Sequence, residues 1–170
     1  MHKYFSHIYI YFFLIFCFTA CTVNYSFSGA TISPELETFT VADFENRAPS
    51  FQPQLGYVLT NTLKEKIESE TRLKLVNRNA DVHFKGTITD YKVSPVSITG
   101  NEQAAKNRLT ITIKVDYVNS INPDENFSAN FSRYEDFLSE KNLSDVEEEL
   151  NKEISDRLVE DIFKKAFSNW

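Results

Sequence analysis

Cysteine, histidine and glycine are all scarce in this chain of 170 residues, and each shortage excludes a kind of site. The chain has two cysteines, three histidines and four glycines, and His83 is the one histidine beyond residue 20. Zinc sites and Ser-His-Asp or Cys-His catalytic sites need clustered histidine or cysteine, and phosphate-cradling loops need closely spaced glycines. A lone histidine at an outward strand position is typical of a surface residue. The sequence therefore predicts no metal, no cofactor, no catalytic residues and no enzymatic activity.

Basic residues are in the minority, with 18 lysines and arginines against 24 acidic residues and a net charge of −6. A domain that binds nucleic acid carries a clear basic excess, so we predict no nucleic-acid partner. The carboxylates gather mostly on the polar face of the last predicted helix, which indicates a solvated surface rather than an acid–base pair.

What the chain does have is a long apolar run near its start. Residues 8–18 are apolar or aromatic, Lys3 precedes them, and small residues lie directly before Cys21. This order is typical of a secretory signal peptide that ends in a lipobox-like cleavage site. A transmembrane helix is the alternative, but it needs ~20 predominantly apolar residues, more than this run supplies. We therefore predict that residues 1–20 are a lipoprotein signal peptide.

Cys21 would be the first residue of the mature protein and its only thiol, since Cys17 lies inside the signal. A cysteine in this position is the acceptor for lipid in bacterial lipoproteins, and two or more acyl chains anchor a protein stably. The alternative is an unmodified Cys21 behind an ordinary export signal. We expect a lipidated Cys21 and linker over residues 21–36, followed by one domain over residues 37–170.

Apolar residues in this domain repeat every two residues in some segments and every three to four in others. Helical spacing predicts two amphipathic helices, at residues 52–71 and 144–168. Alternation predicts strands at residues 37–44, 73–76, 82–93, 108–118 and 127–137. Ser144 and Glu147 are spaced as a capping box at the start of the second helix. The predicted fold is α+β, a two-layer sandwich of two amphipathic helices packed on a mainly antiparallel sheet of four to five strands, in the order β-α-β-β-β-β-α.

A long loop is predicted between two of these strands, over residues 94–107. Loops of this length in a compact domain are often functional, so this one is a candidate partner-binding loop. Its candidate residues are Pro95, Gly100, Asn101 and Glu102.

Basic residues lie on the two strands that this loop joins or at its base. A folded hairpin would gather them into a positive patch that can meet phosphate groups. The alternative is ordinary solubilising charge. The residues are Lys92, Lys106, Arg108 and Lys114.

A set of short motifs runs through the mature chain in a fixed order. It comprises Cys21 followed by residues 25–30 (YSFSGA), residues 73–76 (LKLV), 86–91 (GTITDY), 93–95 (VSP), 100–102 (GNE), 107–111 (NRLTI), 131–134 (FSRY) and 169–170 (NW). The ordered set resembles the LptE family, the lipopolysaccharide-assembly lipoproteins that work with the β-barrel LptD in Gram-negative outer membranes.

The resemblance implies a two-helix, four-stranded sandwich, in agreement with the periodicity. It also implies a protein that is lipid-anchored on the periplasmic side of the outer membrane, plugs an LptD-like barrel, supports its assembly and helps pass lipopolysaccharide to the outer leaflet. Thr22 after the cysteine fits this sorting, since aspartate there is the usual inner-membrane retention signal. The alternatives are a periplasm-facing lipoprotein adaptor or an enzyme of another cell-envelope machine.

Overall fold

The computed structural model describes residues 32–49, 52–96 and 105–167, and its backbone forms two helices and one sheet. The elements in chain order are β1 (Thr38–Val41), β2 (Glu45–Asn46), α1 (Leu55–Glu70), β3 (Lys74–Leu75), β4 (Val82–Val96), β5 (Lys106–Asn119), a 3-10 turn (Pro123–Glu125), β6 (Phe127–Leu138) and α2 (Leu143–Phe167). The sheet has the order β3-β1-β4-β5-β6, and β2 also pairs with β4. The predicted α+β class is confirmed.

Three long antiparallel strands, β4, β5 and β6, make up most of the sheet. Alternate residues of β5 such as Ile111, Ile113 and Val115 are buried on its inner face, and the residues between them are polar. A bulge interrupts β4 between Ile88 and Asp90. Ile88 pairs with Ile113 and Asp90 pairs with Thr112, so β4 has one extra residue between two adjacent residues of β5. The bulge shifts the alternation, so that Tyr91 is turned inward and is 4% exposed.

The other end of the sheet is parallel. β1 lies between β3 and β4 and runs parallel to both, and the βα unit of β1 and α1 leads into β3. Asp81 holds the starts of β1 and β4 together, because one of its carboxylate oxygens accepts the backbone N–H groups of Glu37 and Thr38, each at 2.9 Å. The Thr38 hydroxyl donates to the same oxygen at 2.8 Å. These hydrogen bonds lower the pKa of Asp81 below its ordinary value, that from Glu37 most.

Both helices pack on the inner face of the sheet through one apolar stripe each. The stripe of α1 includes Leu59 and Leu63, and that of α2 includes Ile154 and Leu158, all with no exposed surface. The helices run side by side in the same direction. Lys66 of α1 joins them through ion pairs at 2.5 Å with Glu70 of its own helix and with Glu160 of α2.

A close approach between Phe44 and Gly86 decides where the first strand breaks. The ring of Phe44 lies against Gly86, so close that a Cβ added there would come within 2.1–2.3 Å of three ring carbons. The Phe44 N–H donates to the Thr60 hydroxyl at 3.0 Å, and that hydroxyl donates to the Gly56 carbonyl at 2.7 Å. The chain leaves the sheet to make these contacts, so the strand predicted over residues 37–44 ends at Val41. The short strand β2 then forms beyond the predicted bounds.

The hairpin of β4 and β5 is longer than the alternation indicated. β4 continues to Val96 and β5 begins at Lys106, so the loop predicted over residues 94–107 was drawn too long. Antiparallel pairing continues past the last apolar pair because backbone hydrogen bonds do not require apolar side chains. Pro95 is therefore part of a strand, whereas Gly100, Asn101, Glu102 and Cys21 lie outside the described residues.

Candidate functional site

The outer face of β4, β5 and β6 has no helix packed on it in the described part of the chain, and we refer to it as the open face. Its side chains are mainly hydroxyl, amide and charged groups that bond to one another across the strands. The Thr112 and Ser132 hydroxyls are 3.0 Å apart, and the Ser128 hydroxyl donates to Asp116 at 2.5 Å. A sheet with one apolar and one polar face leaves the polar face to water or to a partner.

The hairpin end of the open face carries three of the four predicted basic residues. Lys92 is paired with Thr110, Arg108 with Ser94, and Lys106 with the last residue of β4. Residues directly opposite one another in an antiparallel pair project from the same face, and these pairs are neighbours along the strands. The structure thus brings Lys92, Lys106 and Arg108 together, and we refer to them as the basic cluster.

Arg108 is held rigidly within this cluster. Its guanidinium donates two hydrogen bonds to the Asp136 carboxylate, at 2.7 and 3.0 Å, and lies 3.6 Å from the centroid of the Tyr134 ring. The bond from Arg108 is the main cause that lowers the pKa of Asp136. The planar guanidinium is thus oriented by a carboxylate and an aromatic ring.

Asp136 and Tyr134 orient Arg108, and the sequence reasoning did not include them in the candidate site. They lie on β6, which pairs with β5 so that Asp136 is opposite Arg108 and Tyr134 opposite Thr110. The signal that could have found them was the polar alternation of residues 127–137, read together with the register of β6 against β5.

The fourth predicted basic residue is remote from the cluster. Lys114 also lies on the open face but is six residues along β5 from Arg108, about 20 Å at the rise of a strand. Its ammonium group is 3.7 Å from Asp116. The structure therefore does not bring Lys114 into the predicted patch.

A groove of about 680 Å³ lies between the N-terminal halves of α1 and α2. Leu55 and Val58 line its floor among several carboxylates, including Glu147 and Asp156. Glu147 accepts a hydrogen bond from the buried Tyr91 hydroxyl at 2.7 Å. The predicted capping box is wrong, because α2 begins at Leu143, so Ser144 lies inside the helix and its hydroxyl bonds the Asp145 side chain instead. Burial, and then the bond to Glu147, raise the pKa of Tyr91 above its ordinary value.

The polar groups of the groove and the possible metal ligands can be compared with what a catalytic or metal site needs. They contain no cluster of three or more histidine, cysteine or carboxylate groups able to hold a metal ion. In the groove, Glu147 is engaged by Tyr91, and Asp156 accepts a hydrogen bond from Lys152 at 2.9 Å. These two carboxylates are therefore committed to partners within the fold.

The fold and the site define an α+β domain with a two-helix layer, an open polar sheet face and an oriented basic cluster. Residues 36–166 match the family described as LptE, lipopolysaccharide-assembly, and the chain belongs to that family. This is a family of non-catalytic lipoproteins of the cell envelope. The resemblance seen in the sequence is confirmed.

Solved structures show the same fold at low sequence identity. A minor lipoprotein from Acinetobacter baumannii is 12% identical, with a TM-score of 0.50 over 76% of this chain and 91% of that one. A proposed homolog of the neuraminyllactose-binding hemagglutinin from Helicobacter pylori is 8% identical, with a TM-score of 0.55 over 84% of this chain and 91% of that one. A comparison with curated proteins finds no match. Neither described helix is long and apolar enough to cross a membrane.

Proposed function

We propose that this chain is the plug and assembly subunit of the lipopolysaccharide translocon, lipid-anchored through Cys21 on the periplasmic side of the outer membrane. In this role residues 1–20 are a removed signal, residues 21–36 are a short tether, and residues 37–170 are the domain. The domain occupies a β-barrel partner of the LptD type and helps pass lipopolysaccharide to the outer leaflet. Membership of the lipopolysaccharide-assembly family over residues 36–166 is the observation that carries the proposal.

The open face supports a role inside a barrel. A barrel wide enough to hold a domain has a polar interior, and hydroxyl and amide side chains of the open face can exchange hydrogen bonds with such a wall. The tether adds a limit on distance, since the 16 residues 21–36 span at most ~55 Å when fully extended. A domain tethered in this way works close to the membrane that holds its lipid.

The partner is tested by affinity purification of the full chain from detergent-solubilised outer membranes. We expect one large β-barrel protein to co-purify in a fixed ratio. Recovery of the lipoprotein without any barrel, under conditions that keep known outer-membrane complexes intact, would contradict the plug role. A Cys21→Ser variant should lose membrane association after signal removal, because no thiol remains to carry lipid.

The basic cluster is proposed as the contact for the phosphate groups of lipopolysaccharide. Reversing two of its charges, Lys92→Glu with Lys106→Glu, should weaken lipopolysaccharide binding, since it replaces attraction by repulsion at the same end of the sheet. Lys92→Glu and Lys106→Glu are also measured as single variants. Lys114→Glu is the matched control for each of them, because it reverses one charge on the same face about 20 Å from Arg108. Binding of labelled lipopolysaccharide should fall for the cluster variants and not for the control. Equal losses would indicate a general effect of net charge, and no loss would remove the cluster from the proposed site.

A further inference from the structure

The outer edge of β6 is long and pairs with no other strand in the described part of the chain. β6 is the last strand in the sheet order, and its one described strand partner is β5. Proteins commonly shield such an edge with proline, lysine, a bulge or inward-pointing charges. Residues 127–138 contain neither proline nor lysine, and the register with β5 runs without interruption. The inward-pointing charges of Arg133 and Glu135 are each paired with a residue of α2, so neither is an unpaired charge that would repel another strand. The backbone of this edge can therefore pair with a further strand.

The hydrogen bonds of β5 show which residues of β6 offer their backbone to this edge. The Ser120 N–H donates to the Asp81 carbonyl on the β4 side, so even-numbered residues of β5 point their backbone groups at β4 and odd-numbered ones at β6. Consistently, the Ser139 N–H donates to the Ala105 carbonyl at 3.0 Å. Since β5 and β6 pair odd with odd, the even-numbered residues of β6 face the free edge. These are Ser128, Asn130, Ser132, Tyr134, Asp136 and Leu138.

Opposite charges stand two residues apart on the inner side of the same edge. Arg133 donates two hydrogen bonds to Asp161 of α2, both at 2.6 Å, and Glu135 forms an ion pair with Arg157 of α2. Shallow clefts of about 220 and 360 Å³ lie between this part of β6 and α2. The side chains of Arg133 and Glu135 can therefore be contacted by a strand that pairs with the edge of β6.

We propose that a second copy of this chain pairs antiparallel with β6, with the two-fold axis at Tyr134. In this register Arg133 lies opposite Glu135 of the second copy and Glu135 opposite its Arg133, so both charged positions meet their complement. Phe131 lies opposite Phe137 of the second copy on the same inner face. Each interface of this kind is isologous and closes after two copies, so it does not lead to fibres.

Other two-fold registers lack this complementarity. An axis at Arg133 places two arginines opposite one another, and axes at Glu135 and Asp136 do the same for two carboxylates; like charges directly opposite are destabilising. An axis at Ser132 places Arg133 opposite Phe131, so Arg133 has no carboxylate opposite it in the second copy. Charge thus selects the axis at Tyr134.

Backbone pairing supplies most of the attraction in this dimer. Residues 130–138 of each copy overlap and form five hydrogen-bonded pairs, so about ten backbone hydrogen bonds link the copies. Arg133 and Glu135 are already paired with α2, so the ion pairs between copies add little energy, but they specify the register. The dimer does not depend on a barrel partner or on lipopolysaccharide, and would be the form of the protein free of its partner.

Disulfide trapping of the full chain, purified in detergent free of any barrel partner, tests the axis. In a hydrogen-bonded antiparallel pair the Cα atoms are about 5.5 Å apart, within the range that a disulfide spans. Tyr134→Cys should therefore give a disulfide-linked dimer on mild oxidation. Asn130→Cys is the matched control, on the same strand and face, because the two copies of that position are eight residues, about 26 Å, apart. The wild-type chain controls for linkage through Cys21.

A dimer band with Tyr134→Cys and none with Asn130→Cys or wild type is the expected result. No dimer with Tyr134→Cys, or equal dimer with Asn130→Cys, would overturn the proposal, and so would a dimer trapped at Ser132→Cys in place of Tyr134→Cys. Adding Ser132→Pro to the Tyr134→Cys chain removes one edge N–H while every bond to β5 remains, so the dimer should be lost. Persistence of the dimer in that folded variant would exclude strand pairing.

Discussion

Gly86→Ala should destabilise the domain although alanine adds a single methyl group. The new Cβ would come within 2.1–2.3 Å of three carbons of the Phe44 ring, well inside van der Waals contact. The ring has little room to move away, because Phe44 is 5% exposed and its backbone N–H is held by the Thr60 hydroxyl at 3.0 Å.

The magnitude follows from two opposing terms. Overpacking a well-packed core costs about 1–3 kcal/mol, and the upper part of that range applies to a ring in direct overlap. Replacing glycine by alanine restricts the unfolded chain and offsets about 0.4–1 kcal/mol of that cost. The expected net loss in the free energy of unfolding is therefore about 1–2 kcal/mol.

A double-mutant cycle with Phe44→Ala isolates the contact. Phe44→Ala alone should cost about 3–5 kcal/mol, since it empties a buried ring site. In that background Gly86→Ala should cost nothing, because its methyl group then enters the space that the ring has left. Thr87→Ala, the next residue of β4 on the open face, controls for loss of side-chain packing in the strand.

Equilibrium urea unfolding of the four chains of the cycle measures the coupling. We expect a coupling free energy of at least about 1 kcal/mol between positions 44 and 86. Additive effects, within about 0.5 kcal/mol, would refute the steric reasoning, as would a Gly86→Ala variant as stable as wild type.

Three further predictions concern charged groups. The lowered pKa of Asp81 means that its carboxylate stabilises the fold above its ordinary pKa and that this stability is lost as the pH falls through the lowered value. Asp81→Asn should therefore lower the free energy of unfolding by about 1–2 kcal/mol at pH near 7 and by much less in acid, as urea unfolding at both pH values would show. Lys66→Met keeps the packing of the stem but removes the ion pair that lowers the pKa of Glu160, so NMR titration should find that pKa raised toward its ordinary value. Arg108→Lys keeps the charge but loses the bidentate bond, and the pKa of Asp136 should rise in the same kind of titration; an unchanged pKa would contradict the assigned pairing.

Local patterns in the sequence account for the elements. Leu55, Leu59, Leu63 and Ile67 predicted a helix and are all buried on the inner side of α1. The alternation of residues 109–117 predicted a strand and matches the burial of β5. These predictions succeed because the helical and strand periods are set by the local geometry of the backbone. A segment whose apolar residues repeat with one of these periods has one apolar face, and that face packs on the core. Residues 1–20 and Cys21 lie outside the described residues, and their predicted role stays a prediction.

Contacts between distant segments could not be predicted in the same way. The bulge that turns Tyr91 inward, the burial of Phe44 on Gly86 and the pairing of Arg108 with Asp136 each depend on register between strands. A shift of one residue in register exchanges the two faces of a strand, and composition alone does not specify it. The basic cluster shows the consequence, since Lys92, Lys106 and Arg108 meet at one end of the open face while Lys114 does not.

The sequence by itself determined the class of the fold, the two helices, the long strands and the family, because these are recorded in local periods and ordered motifs. The tertiary structure decided which strand forms the free edge, which backbone groups face it and which charges stand beside it. Those properties arise only when β5 and β6 are aligned and α2 is laid along them, since hydrogen bonds and ion pairs act over a few ångströms in space between residues far apart in the chain.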